Sequence, residues 1–189
     1  MTAGRLLRAL DRPATPWRNG GGVTREVAAG PADSGLDDFV WRVSLADVAA
    51  GGPFSAFPGV DRIITVVDGP GMELTVDGTP HTVAEPYRPF AFSGDAATDC
   101  RLLGGPLVDF NVMTRRTAAT ADVRVTREGF SAAPADGTVT LVIALAGTAA
   151  VTAGTTLGRF DAVLLSGGES AAFDVDGVTA VVTVTPVRV

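Results

Sequence analysis

The residues best suited to chemistry in this chain concentrate in one stretch, Pro16-Trp17-Arg18-Asn19-Gly20-Gly21-Gly22-Val23-Thr24-Arg25-Glu26. An aromatic ring, a guanidinium, an amide and a carboxylate flank three glycines, and together these groups could recognise a small polar ligand. Consecutive glycines are found mainly where the backbone needs positive φ angles or a close approach, because they raise the entropy that folding must remove. Two interpretations stay open, a ligand site or a tight loop in which Trp17 fills the core.

The strand that follows the glycines has two different faces. Alternation places Thr24 and Glu26 on one face and the valines at positions 23 and 27 on the other. If the valines face the core, Glu26 faces away from it. If both faces are covered, Glu26 becomes a buried anchor for Arg18 or Arg62.

A second candidate is Arg62, at the end of the stiff, aromatic loop Gly52-Pro53-Phe54-Ser55-Ala56-Phe57-Pro58-Gly59-Val60-Asp61-Arg62. A guanidinium at the start of a core strand could clamp a carboxylate with two parallel hydrogen bonds. The alternative is a structural salt bridge with Asp61 or Glu26.

A third candidate is the run Val108-Asp109-Phe110-Asn111-Val112-Met113, in which alternation puts an acid, an amide and a thioether on one face. That set is unusual both for a solvent-facing strand and for a core. We therefore expect Asp109 and Asn111 to line a cavity, the alternatives being an outward face or a hydrogen-bonded structural anchor.

Composition narrows the function classes. The 189 residues carry a net charge of −6, and all fifteen basic residues are arginine, so we expect no nucleic-acid partner and no lysine chemistry. We expect no secretory signal in the arginine-interrupted N-terminus and no membrane span, since the apolar runs are short. A single cysteine, Cys100, agrees with a reducing compartment, and we expect a soluble cytoplasmic protein.

Metal and nucleophilic chemistry find little support in the sequence. His81 is the only histidine, so the chain cannot assemble a metal centre from several histidines. We expect His81 to be an exposed strand residue. We also expect the protein to need no metal or cofactor. Cys100 is expected to be packed in the core. Acid–base catalysis by Glu26, Asp61 or Asp109 stays open, because burial could raise the pKa of one of these carboxyls.

The elements that must position these groups are β-strands. Short runs of Val, Thr, Ile and Leu are separated by turn signals, which predicts an all-β sandwich or barrel with Trp41 packed on a sheet. The predicted turns are Asp68-Gly69-Pro70-Gly71, Asp77-Gly78, Ser93-Gly94-Asp95, Gly104-Gly105-Pro106, Asp136-Gly137, Ser166-Gly167-Gly168 and Asp176-Gly177.

The strand pattern repeats within the chain. Ile64 to Gly78 and Val142 to Gly154 both read as strand, glycine turn, strand, glycine turn, which predicts a duplication and two β-barrels side by side. The boundary falls in the connector near residues 117–122, giving domains 1–118 and 119–189, although strands can cross between the halves.

Five sequence strings occur in this order: PWRNGGGVTREV, WRVSLADV, GPFSAFPGVDR, PFAFSGD and VDFNVMTRR. Together they resemble the HutD/Ves family of cupin-like bacterial proteins, and the resemblance covers Arg5 to Arg116. One departure is Arg18, where the family motif most often has lysine. The resemblance implies a bicupin with two jelly-roll barrels. It also implies a link to histidine utilisation, in which binding of a carboxylate intermediate such as formylglutamate could moderate the pathway.

We therefore expect a binding or regulatory protein for a small carboxylate metabolite rather than an enzyme. The candidate ligand-binding residues are Trp17, Arg18, Asn19, Thr24, Glu26, Arg62, Asp109 and Asn111. One alternative is a metal-independent cupin isomerase or lyase with Glu26 or Asp109 as base. Another is a stress-related structural or assembly protein whose exposed β edges pair into a homodimer.

Overall fold

The structure, a computed structural model that describes residues 4–152 and 154–187, consists of antiparallel strands joined by short turns. In the described part of the chain the helical content is one 3₁₀ turn, Ala9–Asp11. The predicted all-β class is confirmed. The strands are β1 (Arg5–Leu7), β2 (Thr15–Pro16), β3 (Gly22–Gly30), β4 (Trp41–Val48), β5 (Gly52–Pro53), β6 (Val60–Asp68), β7 (Met72–Val76), β8 (Thr79–Val83), β9 (Phe90–Ser93), β10 (Thr98–Leu102), β11 (Leu107–Arg115), β12 (Ala119–Thr126), β13 (Phe130–Ala132), β14 (Val139–Val151), β15 (Thr155–Leu157), β16 (Ala162–Ser166) and β17 (Ala171–Pro186).

The chain divides into two compact units. Pro13–Ala118 forms the central unit, and the segment up to Arg12 joins the segment from Ala119 onward in the terminal unit. The sequence assigned the first twelve residues to the other half. The described part of that segment, residues 4–12, lies in the terminal unit because β1 pairs with β16 and because Arg8 forms an ion pair of 2.7 Å with Asp161.

The central unit contains two antiparallel sheets. The six-stranded sheet has the order β2-β3-β4-β11-β6-β9, and the four-stranded sheet has the order β5-β10-β7-β8. Alternate side chains of both sheets form one apolar cluster, as the period of two in a strand requires. Its buried members are Ala46, Val48, Ile64, Val66, Met72, Leu74, Val83, Cys100 and Leu107.

The terminal unit is built on one seven-stranded sheet, with β14 and β17 as its long central strands. Its core cluster is apolar, with Val142, Leu157, Leu165 and Phe173 among its buried members. The buried polar side chains of this unit are Thr140 and Thr179, and among its described residues no charged side chain is buried, so the candidate chemistry lies in the central unit.

Two predicted glycine turns in the terminal unit are wrong. Gly147 and Gly177 lie opposite each other inside continuous strands, at a bulge between β14 and β17. A Cβ on either residue would lie 2.1 Å from a backbone carbonyl oxygen of the other strand, so the two glycines allow a close backbone approach. A bulge bends and twists a strand without ending it, and both strands continue past this point.

Candidate functional site

The inner face of the six-stranded sheet carries a polar patch beside its apolar core. Ala46 on β4 and Ile64 on β6 belong to the core cluster, and strand alternation therefore directs Arg42 and Arg62 to the same face. Asn111 on β11 lies opposite Ser44 on one side and Ile64 on the other.

Hydrogen bonds join three side chains, those of Arg62, Asn111 and Asp109. They are called the Arg62 cluster below. The Arg62 Nη2 donates to Asn111 Oδ1 over 3.0 Å, and Asn111 Nδ2 donates to Asp109 Oδ1 over 2.8 Å. The exposed fractions of Arg62, Asn111 and Asp109 are 8%, 7% and 1%. The structure thus brings Arg62 together with Asp109 and Asn111, which the sequence selected from a different segment, and buries all three residues.

Aromatic rings surround the Arg62 guanidinium. Its Cζ lies 5.1, 5.6 and 5.0 Å from the ring centroids of Phe54, Phe57 and Phe92. Ring faces attract a cation but accept no conventional hydrogen bond, and the Arg62 Nε is buried without a partner. Burial lowers the Arg62 pKa to about 10, an effect opposed by Asp109 and increased by the charge of Arg42.

Asp109 is the buried acid of the cluster. Loss of solvation raises its pKa to about 6, even though the hydrogen bond from Asn111 and the charge of Arg62 both favour the carboxylate. The negative charge of Asp47 adds to the increase. A carboxyl with this pKa exchanges its proton close to neutral pH, as a general acid or base must.

Glu26 does not become the buried anchor for Arg18 or Arg62 that the sequence allowed. Its side chain is 44% exposed, and its Oε2 accepts a 2.8 Å hydrogen bond from Arg42 Nε. The Arg62 salt bridge with Asp61 or Glu26 is also absent from the described residues, because Asp61 pairs with Arg116 instead.

Trp17 has a structural setting in the hairpin between β2 and β3. Its ring packs against the core cluster, and its Nε1 donates to Thr24 Oγ1 over 2.7 Å. A Cβ on Gly22 would lie 3.0 Å from this ring and 2.6 Å from the backbone carbonyl oxygen of Asp47. Gly20 has a φ of 75°. Two of the three glycines are therefore required for the expected reasons, Gly22 for a close approach and Gly20 for a positive φ.

Arg18 and Asn19 lie exposed at the tip of this hairpin. Asn19 Oδ1 accepts a hydrogen bond from the backbone N–H of Gly21 over 3.0 Å, which closes the turn. In the described parts of the protein neither side chain hydrogen-bonds or ion-pairs with the Arg62 cluster. Among the described residues, Trp17 contacts the apolar cluster that also includes Phe54 and Phe92, whereas Arg18 and Asn19 lie at the exposed end of the hairpin. The single pocket expected from Trp17 through Asn111 stays a prediction.

The other candidates for chemistry behave as packing residues. Cys100 is buried, its Sγ lies 3.5 Å from Met72 Sδ, and burial raises its thiol pKa to about 11. His81 is half-buried rather than exposed, since its ring centroid lies 5.0 Å from that of Phe90. Within residues 4–152 and 154–187 no three His, Cys, Asp or Glu side chains are grouped as metal ligands.

A surface cleft of about 310 Å³ lies at the ends of β4, β6 and β11. Its lining includes Asp47, Asp68 and Leu107 but no member of the Arg62 cluster. Asp47 forms an ion pair with Arg25, so this acidic side chain is already partnered.

Sequence reasoning missed Arg42 and the ring of phenylalanines. The alternation in Trp41-Arg42-Val43-Ser44-Leu45 could have placed Arg42 and Ser44 together on one face. Phe92 meets Arg62 because β9 pairs with β6 in that register, and no local pattern in either segment specifies this pairing.

The comparisons with known proteins agree with the motifs. The HutD family model matches residues 9–183 of this chain. The chain belongs to the HutD family. A HutD structure from Pseudomonas fluorescens SBW25 is 35% identical, with a TM-score of 0.85 over 97% of this chain and 99% of that one.

A curated relative from Pseudomonas putida, described as an uncharacterized 21.2 kDa protein in the hutC 3' region, is 51% identical over 108 residues. The match covers 57% of this chain and 56% of the relative, so it spans little more than half of that protein.

The cupin-like fold is shared more widely. A cupin 2 conserved barrel domain protein from Leptotrichia buccalis has a TM-score of 0.61 at 10% identity, over 99% of this chain and 98% of that one. At this identity the similarity concerns the fold alone. Among the described residues no helix is long and apolar enough to cross a membrane.

Proposed function

We propose that this HutD-family protein binds a small carboxylate metabolite through Arg62, inside the central unit. The observation that carries the proposal is the Arg62 guanidinium, which is 8% exposed and has a neutral amide as its hydrogen-bond acceptor. Its Nε is unpartnered, and it forms no ion pair in the part of the chain described. Asp109 reaches Arg62 only through Asn111, and a buried guanidinium without a directly bonded carboxylate is costly, so a bound carboxylate would supply the missing acceptor.

The family membership supports a link to histidine utilisation. The curated relative lies in the hutC 3' region, and the HutD structure from Pseudomonas fluorescens was obtained in a formate condition. Carboxylates of that pathway are therefore the first ligands to test, and the same link supports the proposal that ligand binding has a regulatory role.

Calorimetry with formate, formylglutamate, formiminoglutamate and urocanate tests the proposal. We expect at least one of the four to bind wild-type protein, and Arg62→Ala to weaken that binding by about 1.5 to 3 kcal/mol, as for a charge-assisted hydrogen bond. The control is Arg101→Gln, because Arg101 is an exposed arginine paired with Glu73 in the same unit. Failure of all four ligands at millimolar concentration would overturn this ligand class. Unchanged affinity in a folded Arg62→Ala protein would remove Arg62 from the site.

A second candidate function is metal-independent acid–base catalysis on a small acid, with Asp109 as the base. It is favoured by the Asp109 pKa of about 6, next to an arginine that could hold the substrate. The test is deuterium incorporation from D₂O into the same four compounds, followed by NMR. Incorporation whose rate rises with pH around 6 and is abolished by Asp109→Asn supports catalysis. Binding without incorporation excludes this reaction class for those compounds.

A further inference from the structure

The seven-stranded sheet of the terminal unit ends in a long edge strand, β12. In the described part of the chain, β12 pairs with β17 on one side and with no strand on the other. The pairing runs from Ala119 to Thr126 without a register shift, and these residues include no glycine or proline. An edge of this kind is a template for another strand, because every second residue directs its N–H and C=O groups away from the sheet.

The other edge strands of the described sheets are poor templates. β1, β13 and β15 have three residues each, β2 and β5 have two, and β9 has four. β8 has five residues but contains Pro80, which lacks a backbone N–H. Short strands and proline are common ways in which proteins protect a sheet edge from pairing. β12 has eight residues and neither form of protection.

Two opposite charges lie on one face of β12, two residues apart. Asp122 and Arg124 are both exposed, and neither forms an ion pair with another described residue. The Arg124 Cζ lies 5.1 Å from the ring centroid of Phe130, a contact that holds the guanidinium without neutralising its charge. Both charges are therefore available to a partner strand.

A second copy of β12 matches these charges in one register. When two copies run antiparallel with Val123 on a twofold axis, Asp122 of each copy lies opposite Arg124 of the other. Sliding one copy by two residues puts Asp122 opposite Asp122 or Arg124 opposite Arg124, and like charges directly opposite are destabilising. A slide of one residue turns the hydrogen-bonding groups of one strand away from the other. The charges therefore select the register centred on Val123.

We propose that the protein forms a symmetric homodimer through β12, in which the two seven-stranded sheets join into one continuous sheet. The interface contains two Asp122–Arg124 pairs, one on each side of the twofold axis at Val123. On the same face, Thr120 of each copy lies opposite Thr126 of the other. One strand pair makes a small interface, so the dimer is weak and its population rises with protein concentration. The proposal is independent of the proposed ligand site.

Sedimentation velocity over a concentration series tests the dimer. We expect wild-type protein to change from monomer to dimer as its concentration rises through the micromolar range. Asp122→Arg creates two like-charge pairs and should raise the dissociation constant at least about tenfold. Adding Arg124→Asp exchanges the charges and should restore the constant to within about threefold of wild type.

Asp99→Arg is the matched control for these charge variants. It makes the same change of charge at an exposed position of β10, a strand that already pairs with β5 and β7 on its two sides. It should leave the dissociation constant unchanged. Melting curves show whether each variant is folded.

A disulfide tests the register independently of the charges. Val123→Cys places two thiols at the twofold axis, where opposite Cβ atoms are about 5 Å apart, and should give a linked dimer in a glutathione redox buffer. Val125→Cys is the control on the same face, because that residue lies about 14 Å from its own copy, beyond the reach of a disulfide. Cys100 is buried and should not contribute to the cross-linking.

The proposal is overturned if wild-type protein stays monomeric at millimolar concentration, or if it dimerises with an affinity that Asp122→Arg leaves unchanged. A charge exchange that does not restore the dimer would refute the Asp122–Arg124 pairing. Equal cross-linking at positions 123 and 125, or none at position 123, would refute the register. If a charge variant fails to fold, the disulfide experiment decides.

Discussion

Replacing Asp109 by asparagine should stabilise the central unit at neutral pH and above. In the folded protein the Asp109 pKa is raised to about 6, whereas an aspartate in an unfolded chain has a pKa of about 3.9. The folded state therefore binds more protons than the unfolded state between these values. The stability due to this group is complete below about pH 4 and falls as the pH rises through 6.

The size of the effect follows from the difference of about two pKa units, which corresponds to about 3 kcal/mol at pH 8. The attraction of Arg62 is already included, because it lowers the same pKa. Asparagine imitates the protonated acid and keeps an oxygen for the hydrogen bond from Asn111. We expect Asp109→Asn to be more stable than wild type by about 2 to 3 kcal/mol at pH 8 and nearly equal at pH 4.

Urea unfolding followed by tryptophan fluorescence measures this difference, since both tryptophans, Trp17 and Trp41, lie in the central unit. Asp99→Asn, at an exposed position on β10, is the control and should change stability by less than about 0.5 kcal/mol at either pH. A variant at position 109 that is less stable than wild type at pH 8 would refute the reasoning. It would mean that the attraction between Asp109 and Arg62 exceeds the cost of burying the carboxylate.

Three further predictions concern close contacts and the thiol. Gly22→Ala should cost about 1 to 3 kcal/mol in urea unfolding, because the new Cβ would lie 2.6 Å from a backbone oxygen of β4, and an unchanged midpoint would contradict that contact. Gly147→Ala should lower the melting temperature much more than Gly168→Ala. Both positions have positive φ, but only at position 147 would the new Cβ lie against backbone, 2.1 Å from an oxygen. Equal decreases in melting temperature would argue against this close approach. The Cys100 thiol is buried and its pKa is raised to about 11. It should resist a thiol reagent at pH 8 in the native protein and react at once in denaturant. Rapid labelling of the native protein would show that the core opens.

Much of the fold and part of the site could be predicted from the sequence. The face shared by Asp109 and Asn111 follows from strand alternation, which is a local property. Arg62 and Asp109 were both selected from their own segments, and the structure joins them through Asn111, 49 residues from Arg62 in the chain. Glu26 shows the limit of this approach, because its partner depends on how β3 is paired with β4.

By itself the sequence determined the all-β class, the alternation of each strand, and the family through its motifs in the first two thirds of the chain. It also determined the need for glycine at positions 20 and 22, although the Trp17–Thr24 contact appears only in the folded hairpin. Only the tertiary structure decided that Gly147 and Gly177 continue two strands and that Arg42 pairs with Glu26. It also decided that Arg62 lies among three phenylalanine rings and is linked to the Asp109 carboxylate only through Asn111. The physical reason is that side-chain alternation is set within a strand, whereas register and burial depend on which distant strands pair and what covers them.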